Sequence, residues 1–95
     1  MSTPHDPLLA EREKTHGPFA QNAAFSRYIK DGYTNYKNCV GGAVTHYDSM
    51  KNVHREALDM IALKLSRILS GQANFTDHWQ DISGYALLAM EACDK

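Results

Sequence analysis

Several signatures of familiar protein classes are missing from this chain of 95 residues. Its two cysteines, Cys39 and Cys93, lie far apart and neither belongs to a CxxC motif, so the sequence indicates neither a disulfide framework nor a structural zinc site. No apolar run approaches the roughly 18 residues that cross a membrane. The glycine patterns of a P-loop and of a Rossmann fold are absent as well, which leaves those two modes of nucleotide binding without support.

The N-terminal stretch also lacks the basic start and the apolar run of a secretory signal. Since reduced thiols are the simplest state of the two cysteines, we expect a cytoplasmic protein without a membrane partner. The charges are nearly balanced, with 10 Lys and Arg against 11 Asp and Glu. Because such a balance gives no overall attraction for a phosphate backbone, no nucleic-acid partner is predicted.

The length of the chain predicts one small domain. Residues 1–7 carry two prolines and little to bury, so we expect a flexible N-terminal arm there and a single helical domain over residues 8–95. A core of this size is only modestly stable on its own. We therefore expect a homo-oligomer.

The spacing of apolar residues favours helices over strands. The predicted helices are a short one over 8–14, a second over 19–30 stopped by Asp31-Gly32, a long one from Asp48 or Ser49 to Ser70, and a last one capped by Asn74 or Thr76. Gly71 is expected to close the long helix in the left-handed conformation. Residues 33–47 show no clean periodicity and are predicted as a loop, in which a short helical turn is compatible with the sequence. The fold class is therefore an all-α bundle of three or four helices.

The long helix and the last helix each have apolar residues on two faces. The predicted core stripes are Met50, Val53, Ala57, Ile61, Leu65 and Ile68 on the first of them, and Trp79, Ile82, Ala86, Ala89, Met90 and Cys93 on the second. Leu63, Gly84 and Leu88 lie on the opposite faces, where a purely solvated surface requires none of them. These three residues predict a second packed surface, covered by the first helices or by a second subunit.

Four carboxylates have a spacing that suits chemistry. Glu56 and Asp59 are three residues apart, and Asp77 and Asp81 are four apart, so each pair lies on a single helix face. If the two pairs faced one another, their oxygens would suit Mg²⁺, which bridges phosphates and activates water. The alternative is that all four are ordinary surface acids paired with basic residues nearby.

Two groups of residues are candidates for binding phosphate. Lys64 and Arg67 follow the first acid pair by one and two turns, where they could take the outer phosphates of a nucleotide. The alternative is that both are helix C-terminal cations favoured by the helix dipole. Lys14 and His16 precede Gly17, and a glycine turn there could hold the backbone close to a ligand.

The tyrosines and His54 each allow two interpretations. The tyrosines at 33, 36 and 47 could stack on a base, although core positions are commoner for such residues. His54 lies within the apolar stripe of the long helix, where a hydrogen-bonded core or interface histidine is the simpler interpretation.

Three segments together resemble a known group of proteins. They read EREKTHGPFAQNA, HREALDMIALKLSRILSG and DHWQDISGYALLAMEA. The combination resembles small phage and prophage proteins of uncharacterised function, whose pattern looks like a reduced version of the MazG-like all-α nucleotide pyrophosphohydrolases. The resemblance leaves out the first seven residues and residues 33–47.

The resemblance implies a helical oligomer that binds Mg²⁺ through acids on two helices and cleaves nucleoside triphosphates to monophosphate and pyrophosphate. It assigns the metal-binding and catalytic roles to Glu56, Asp59, Asp77 and Asp81. The sequence departs from the family pattern E-E-x-x-E because Arg55 stands where the doubled acid is expected, and the second acid pair is spaced by four residues rather than three. A different class remains open: a non-catalytic phage anti-defence protein that sequesters a nucleotide signal or binds a host protein.

Overall fold

Three α-helices make up most of the described structure. A computed structural model of the chain describes residues 18–34 and 45–94. Its helices are α1 (Phe19–Thr34), α2 (Asn52–Arg67) and α3 (Thr76–Glu91), with a 3-10 turn at Tyr47–Ser49 and a π-helical turn at Ile68–Gln72. No strand occurs in the two described ranges, so the predicted all-α class and the small helical bundle are confirmed there. The same ranges contain no helix that is long and apolar enough to cross a membrane.

Some predictions concern residues outside the described ranges. They are the arm at 1–7, the short helix at 8–14, the phosphate-binding candidates Lys14 and His16, and most of the loop predicted at 33–47.

Helix α1 is longer than predicted, because Asp31-Gly32 does not end it. The helix continues to Thr34, although a glycine inside a helix costs about 1 kcal/mol relative to alanine. Two contacts at its end offset that cost. The hydroxyl of Tyr33 donates to Asp59 on α2 at 2.9 Å, and the hydroxyl of Thr45 donates to the Tyr33 carbonyl at 2.6 Å.

Helix α2 begins later than predicted, because Asp48 and Ser49 belong to the 3-10 turn that precedes it. The Ser49 hydroxyl donates to the His46 carbonyl at 2.9 Å and is therefore not available as a helix cap. The N-cap is instead Lys51, in an extended conformation and without a capping hydrogen bond from its side chain. The prediction of the cap residue was wrong by two to three positions.

Gly71 is left-handed as predicted, but the regular α-helix ends before the predicted Ser70. Gly71 has φ of +109°, the left-handed region that glycine adopts at little cost. Regular α-helix stops at Arg67, and a π-helical turn leads to Gly71. Two serines contribute to this widening: Ser66 donates to the Leu63 carbonyl at 2.6 Å and Ser70 to the Ser66 carbonyl at 2.8 Å. Such bonds compete with the regular helix ladder.

The core is built from small and polar side chains around α2, which packs against both α1 and α3. The most buried residues described are Asn22 and Ser26 on α1, Ala57, Ala62 and Ser66 on α2, and His78 on α3. Because these side chains are short, the helix backbones can approach closely. His78 packs edge-on against the ring of Phe75, with centroids 4.8 Å apart.

The predicted core stripe of α3 is turned by about one residue relative to the observed one. His78 is 1% exposed, whereas Trp79 is 51% exposed and Met90 62%. On α2, Val53 is also exposed. A pattern defined by large apolar residues was misleading, because the one buried residue of α3 is a histidine, where the rule expects a bulky apolar group. Several bulky residues of α3 are left facing outward.

Candidate functional site

An ion pair joins the end of α2 to the beginning of α3. The Lys64 ammonium lies 2.8 Å from a carboxylate oxygen of Asp81. The two helices are connected by the turn around Gly71 and pack side by side, which brings the last turn of α2 next to the first turns of α3. The Lys64 side chain is only 11% exposed, while that of Asp81 is 46% exposed. The cation is therefore the more deeply placed partner.

Three positive groups act on the Asp81 carboxyl. Its pKa lies below the ordinary value of 3.8, mainly because the Lys64 ammonium donates a hydrogen bond to it, with further lowering from the charges of Lys64, His78 and Arg67. Asp81 is therefore ionised at neutral pH. Of the two cations predicted to hold phosphate, Lys64 contacts this carboxylate directly and Arg67 acts on it through its charge.

The Asp59 carboxylate is held by two tyrosines. The Tyr33 hydroxyl donates to one of its oxygens at 2.9 Å and the Tyr47 hydroxyl to the other at 2.8 Å. The two rings lie 5.4 Å apart at 49°, and the Arg55 guanidinium lies 6.0 Å from the centre of the Tyr47 ring. This cluster of Tyr33, Tyr47 and Asp59, called the tyrosine–carboxylate cluster below, ties the end of α1 and the 3-10 turn to the middle of α2.

Both tyrosine hydroxyls keep their protons over the whole physiological range. Burial raises the pKa of Tyr33 and Tyr47 above the ordinary value of 10.0, and the hydrogen bond to the negatively charged Asp59 raises it further. The two phenols therefore act as permanent donors to the carboxylate.

The two acid pairs of the sequence pattern do not merge into one cluster. Asp59 is directed to the tyrosines and Asp81 to Lys64, while Glu56 and Asp77 are exposed. Within residues 18–34 and 45–94, no three His, Cys, Asp or Glu side chains come close enough to hold one metal ion. The donor chemistry nevertheless suits Mg²⁺ that arrives on a nucleotide, because this ion is usually bound by one or two carboxylates together with substrate phosphates.

At the other end of the α2–α3 pair, Lys51 and His54 bind backbone carbonyls at the end of α3. Lys51 donates to the Ala92 carbonyl at 2.7 Å and pairs with Asp94 at 2.8 Å. The Nε2–H of His54 donates to the Ala89 carbonyl at 2.8 Å, so the interpretation of this histidine as hydrogen-bonded is confirmed. These contacts satisfy the last carbonyls of α3. They are structural and lie apart from the Lys64–Asp81 pair.

The outward surface of α3 forms an open groove of about 410 Å³. Its lining is Gln80, Asp81, Gly84, Tyr85, Leu87, Leu88 and Glu91. Leu87 and Leu88 are more than half exposed, and a Cβ added at Gly84 would meet nothing within 4 Å. Asp81 borders both this groove and the ion pair with Lys64. None of the described helices covers Gly84 and Leu88 on this face, whereas Leu63 on α2, the third residue of the predicted second surface, is partly buried.

Sequence reasoning missed two features of the site. It treated Tyr33 and Tyr47 as stacking or core residues, whereas their hydroxyls bind Asp59 from positions 26 and 12 residues away. No local spacing rule covers such distances. It also overlooked the burial of His78 beside the Lys64–Asp81 pair.

Comparison with known proteins adds no relative. The chain matches no protein-family model, no curated protein and no solved structure.

Proposed function

We propose that the protein is a MazG-like nucleoside triphosphate pyrophosphohydrolase acting on (d)NTPs that carry Mg²⁺. The observation that supports the proposal is the Lys64–Asp81 pair, which places a largely buried cation against an ionised carboxylate, with the charge of Arg67 also acting on that carboxylate. A charged nucleotide requires both kinds of group, because phosphate oxygens bind cations and the accompanying Mg²⁺ binds carboxylates. The resemblance described above names the reaction.

Lys64 and Arg67 would hold the outer phosphates. A lysine ammonium is a point charge on a flexible stem, so Lys64 can turn from Asp81 to a phosphate oxygen without moving α2. That exchange would release the Asp81 carboxylate at the moment the nucleotide binds. Arg67, with its planar guanidinium, can bind two phosphate oxygens at once.

Glu56, Asp59, Asp77 and Asp81 would face the metal-bearing part of the substrate. Mg²⁺ supplies neutralisation of the phosphate charge and a more acidic water. Asp81 enters this role already ionised, because its pKa is low. Glu56 and Asp77 are exposed and so are accessible to a substrate in solution.

A release assay for pyrophosphate tests the proposal. Standard and modified (d)NTPs should be supplied one at a time with Mg²⁺ or Mn²⁺, and at least one should yield pyrophosphate. Lys64→Met should abolish this activity. The matched control is Lys51→Met, which breaks the exposed Lys51–Asp94 pair at the other end of the same helices and should leave turnover unchanged. Absence of turnover with every nucleotide would remove the enzyme proposal.

A second candidate is a non-catalytic protein that sequesters a nucleotide signal or binds a host protein, as a phage anti-defence factor would. What favours it is that Asp59 and Asp81 each already have a partner within the chain. A binder that uses Lys64 and Arg67 for phosphate needs no metal. Calorimetry with cyclic and linear nucleotides distinguishes the two candidates: binding that persists in EDTA, with intact ligand recovered, supports the sequestering protein.

We further propose that the outer face of α3 is where copies of the chain assemble. Leu88 is 55% exposed there, beside the open space at Gly84. Leu88→Asp should shift the sedimentation profile from oligomer to monomer without loss of helix content. Leu69→Asp is the control, since Leu69 is 59% exposed but does not line the groove. A wild-type protein that sediments as a monomer at high micromolar concentration would refute the assembly.

A further inference from the structure

The outward face of α3 has apolar and charged groups without a partner in the described ranges, unlike the tyrosine–carboxylate cluster, whose groups bind one another. Leu87 and Leu88 are 53% and 55% exposed on this face. Gly84 adds no side chain there, and a Cβ built on it meets nothing within 4 Å. The distance between packed helices depends on the side chains at the contact, and small residues allow the closest approach. The open groove therefore suits another chain that lies against α3.

The formal charges that α3 itself contributes are all negative. The helix contains three acids and neither lysine nor arginine. Its acids and two of the groove residues alternate at spacings of four and three, which places them on one side of the helix in the order Asp77, Asp81, Gly84, Leu88 and Glu91. Asp77 and Glu91 are exposed, and neither belongs to an ion pair within residues 18–34 and 45–94. The apolar centre of the face thus has an acid without a counter-ion at each end.

This charge pattern makes a second copy of the chain the less favourable occupant. Two α3 helices that met antiparallel would place Asp77 against Glu91, and a parallel pair would place each acid against its own counterpart. Like charges that face one another across an interface weaken it. A partner with lysine or arginine at both ends and apolar residues between them forms attractive pairs instead. The assembly proposed above on this face is therefore the weaker of the two associations.

The length of the face defines the size of the partner segment. Asp77 and Glu91 lie about 21 Å apart along the helix axis, at 1.5 Å per residue. A partner helix of about four turns spans this distance. An amphipathic helix that binds in this way presents its apolar residues at i, i+3, i+4 and i+7. Basic residues at its two ends would then lie beside the two acids.

We propose that the outward face of α3 binds a basic amphipathic helix of another protein. The inference rests on the second candidate for the proposed function, a protein that binds a host protein, and it names the chemistry of that partner. It does not depend on nucleotide turnover. Leu87 and Leu88 contribute the apolar contact, Gly84 allows the close approach, and Asp77 and Glu91 select a basic partner.

Fluorescence anisotropy with synthetic peptides tests the inference. The probe is a labelled helical peptide of about four turns, with leucines along one face and lysines at both ends, and its counterpart has glutamates in place of the lysines. At low salt the full chain should bind the basic peptide about tenfold more tightly, because the acidic one exchanges attraction for repulsion at both ends. Leu88→Ser should weaken binding of the basic peptide about tenfold by removing apolar contact. Leu69→Ser is the matched control, since Leu69 is 59% exposed but does not line the groove, and it should bind like wild type.

A charge variant tests the preference for a basic partner. Glu91→Gln should weaken binding of the basic peptide about two- to fivefold, the usual effect of one exposed ion pair. Asp31→Asn removes the same charge from an exposed position on α1, which packs against α2, and should bind like wild type.

Equal affinity for the basic and the acidic peptide would overturn the inference, as would a Leu88→Ser variant that binds like wild type. A wild-type protein that stays oligomeric and binds neither peptide would assign the face to a second copy and overturn the inference as well. The assay contains no nucleotide, so peptide binding and pyrophosphate release are separate results. Binding of the basic peptide by a wild-type protein that releases no pyrophosphate would support the inference while removing the hydrolase proposal.

Discussion

The Lys64–Asp81 pair should respond unequally to loss of its two partners. Asp81→Ala leaves the Lys64 ammonium, 11% exposed, without its carboxylate. Removing one partner of a buried pair costs more than the pair itself contributes, because the remaining charge stays desolvated. Since Lys64 is largely but not fully buried, we expect Asp81→Ala to lower the free energy of unfolding by about 2 kcal/mol.

The reverse change should cost less. Lys64→Met removes the charge but keeps an apolar stem of similar length against α3. The Asp81 carboxylate that remains is 46% exposed and can be hydrated, so this variant should lose less stability than Asp81→Ala. Urea unfolding followed by far-UV circular dichroism measures both values, and an unchanged dependence on urea concentration shows that the unfolded state is comparable.

The pH dependence provides an internal check. The folded pKa of Asp81 is lowered, so the contribution of the pair is present above pH 3.8 and is lost as the pH falls through the lowered value. Lys64→Met should lose most of this acid-dependent component. A Lys64→Met variant that is destabilised as much as Asp81→Ala would refute the assignment of Lys64 as the buried partner.

Two further predictions concern glycines and tyrosines. Gly71→Ala should destabilise the protein by about 1 kcal/mol, because Gly71 has φ of +109°. Gly84→Ala has open space around the added methyl group and should stabilise an isolated monomer by up to about 1 kcal/mol. Chemical denaturation of both variants in a Leu88→Asp background measures these changes. Wild type should also lose stability as the pH rises above 10, since the raised folded pKa values of Tyr33 and Tyr47 mean that the native state holds these protons more tightly than the unfolded chain does. In the Tyr33→Phe/Tyr47→Phe double variant, the free energy of unfolding should fall less steeply above pH 10. A fall as steep as that of wild type would contradict the hydrogen bonds to Asp59.

Local sequence signals predicted the helices but not their inner faces. The class, the three described helices and the left-handed Gly71 all follow from periodicity and glycine chemistry, which act over a few residues. The side that α3 buries depends on what it packs against. His78 is 1% exposed, whereas the larger Trp79 turns outward, with its indole donating to the Ala73 carbonyl at 2.8 Å.

The sequence predicted which kinds of side chain the candidate site contains, but not which of them pair with one another. Spacing places Lys64 and Arg67 on one face of α2, because residues three apart on a helix share a face. It could not show that Asp81 would pair with Lys64 while Asp59 turned to Tyr33 and Tyr47. Those choices depend on how α1, α2 and the 3-10 turn meet, and they join residues far apart in the chain.

The products formed from a nucleoside triphosphate test the central claim most directly. Phosphorus NMR of wild-type protein with Mg²⁺ and the (d)NTP that gives the strongest pyrophosphate release should show monophosphate and pyrophosphate appearing in equal amounts. Lys64→Met should leave the triphosphate intact under the same conditions, and Lys51→Met should match wild type. Diphosphate and inorganic phosphate as products, or a triphosphate that persists with wild-type protein, would contradict the account.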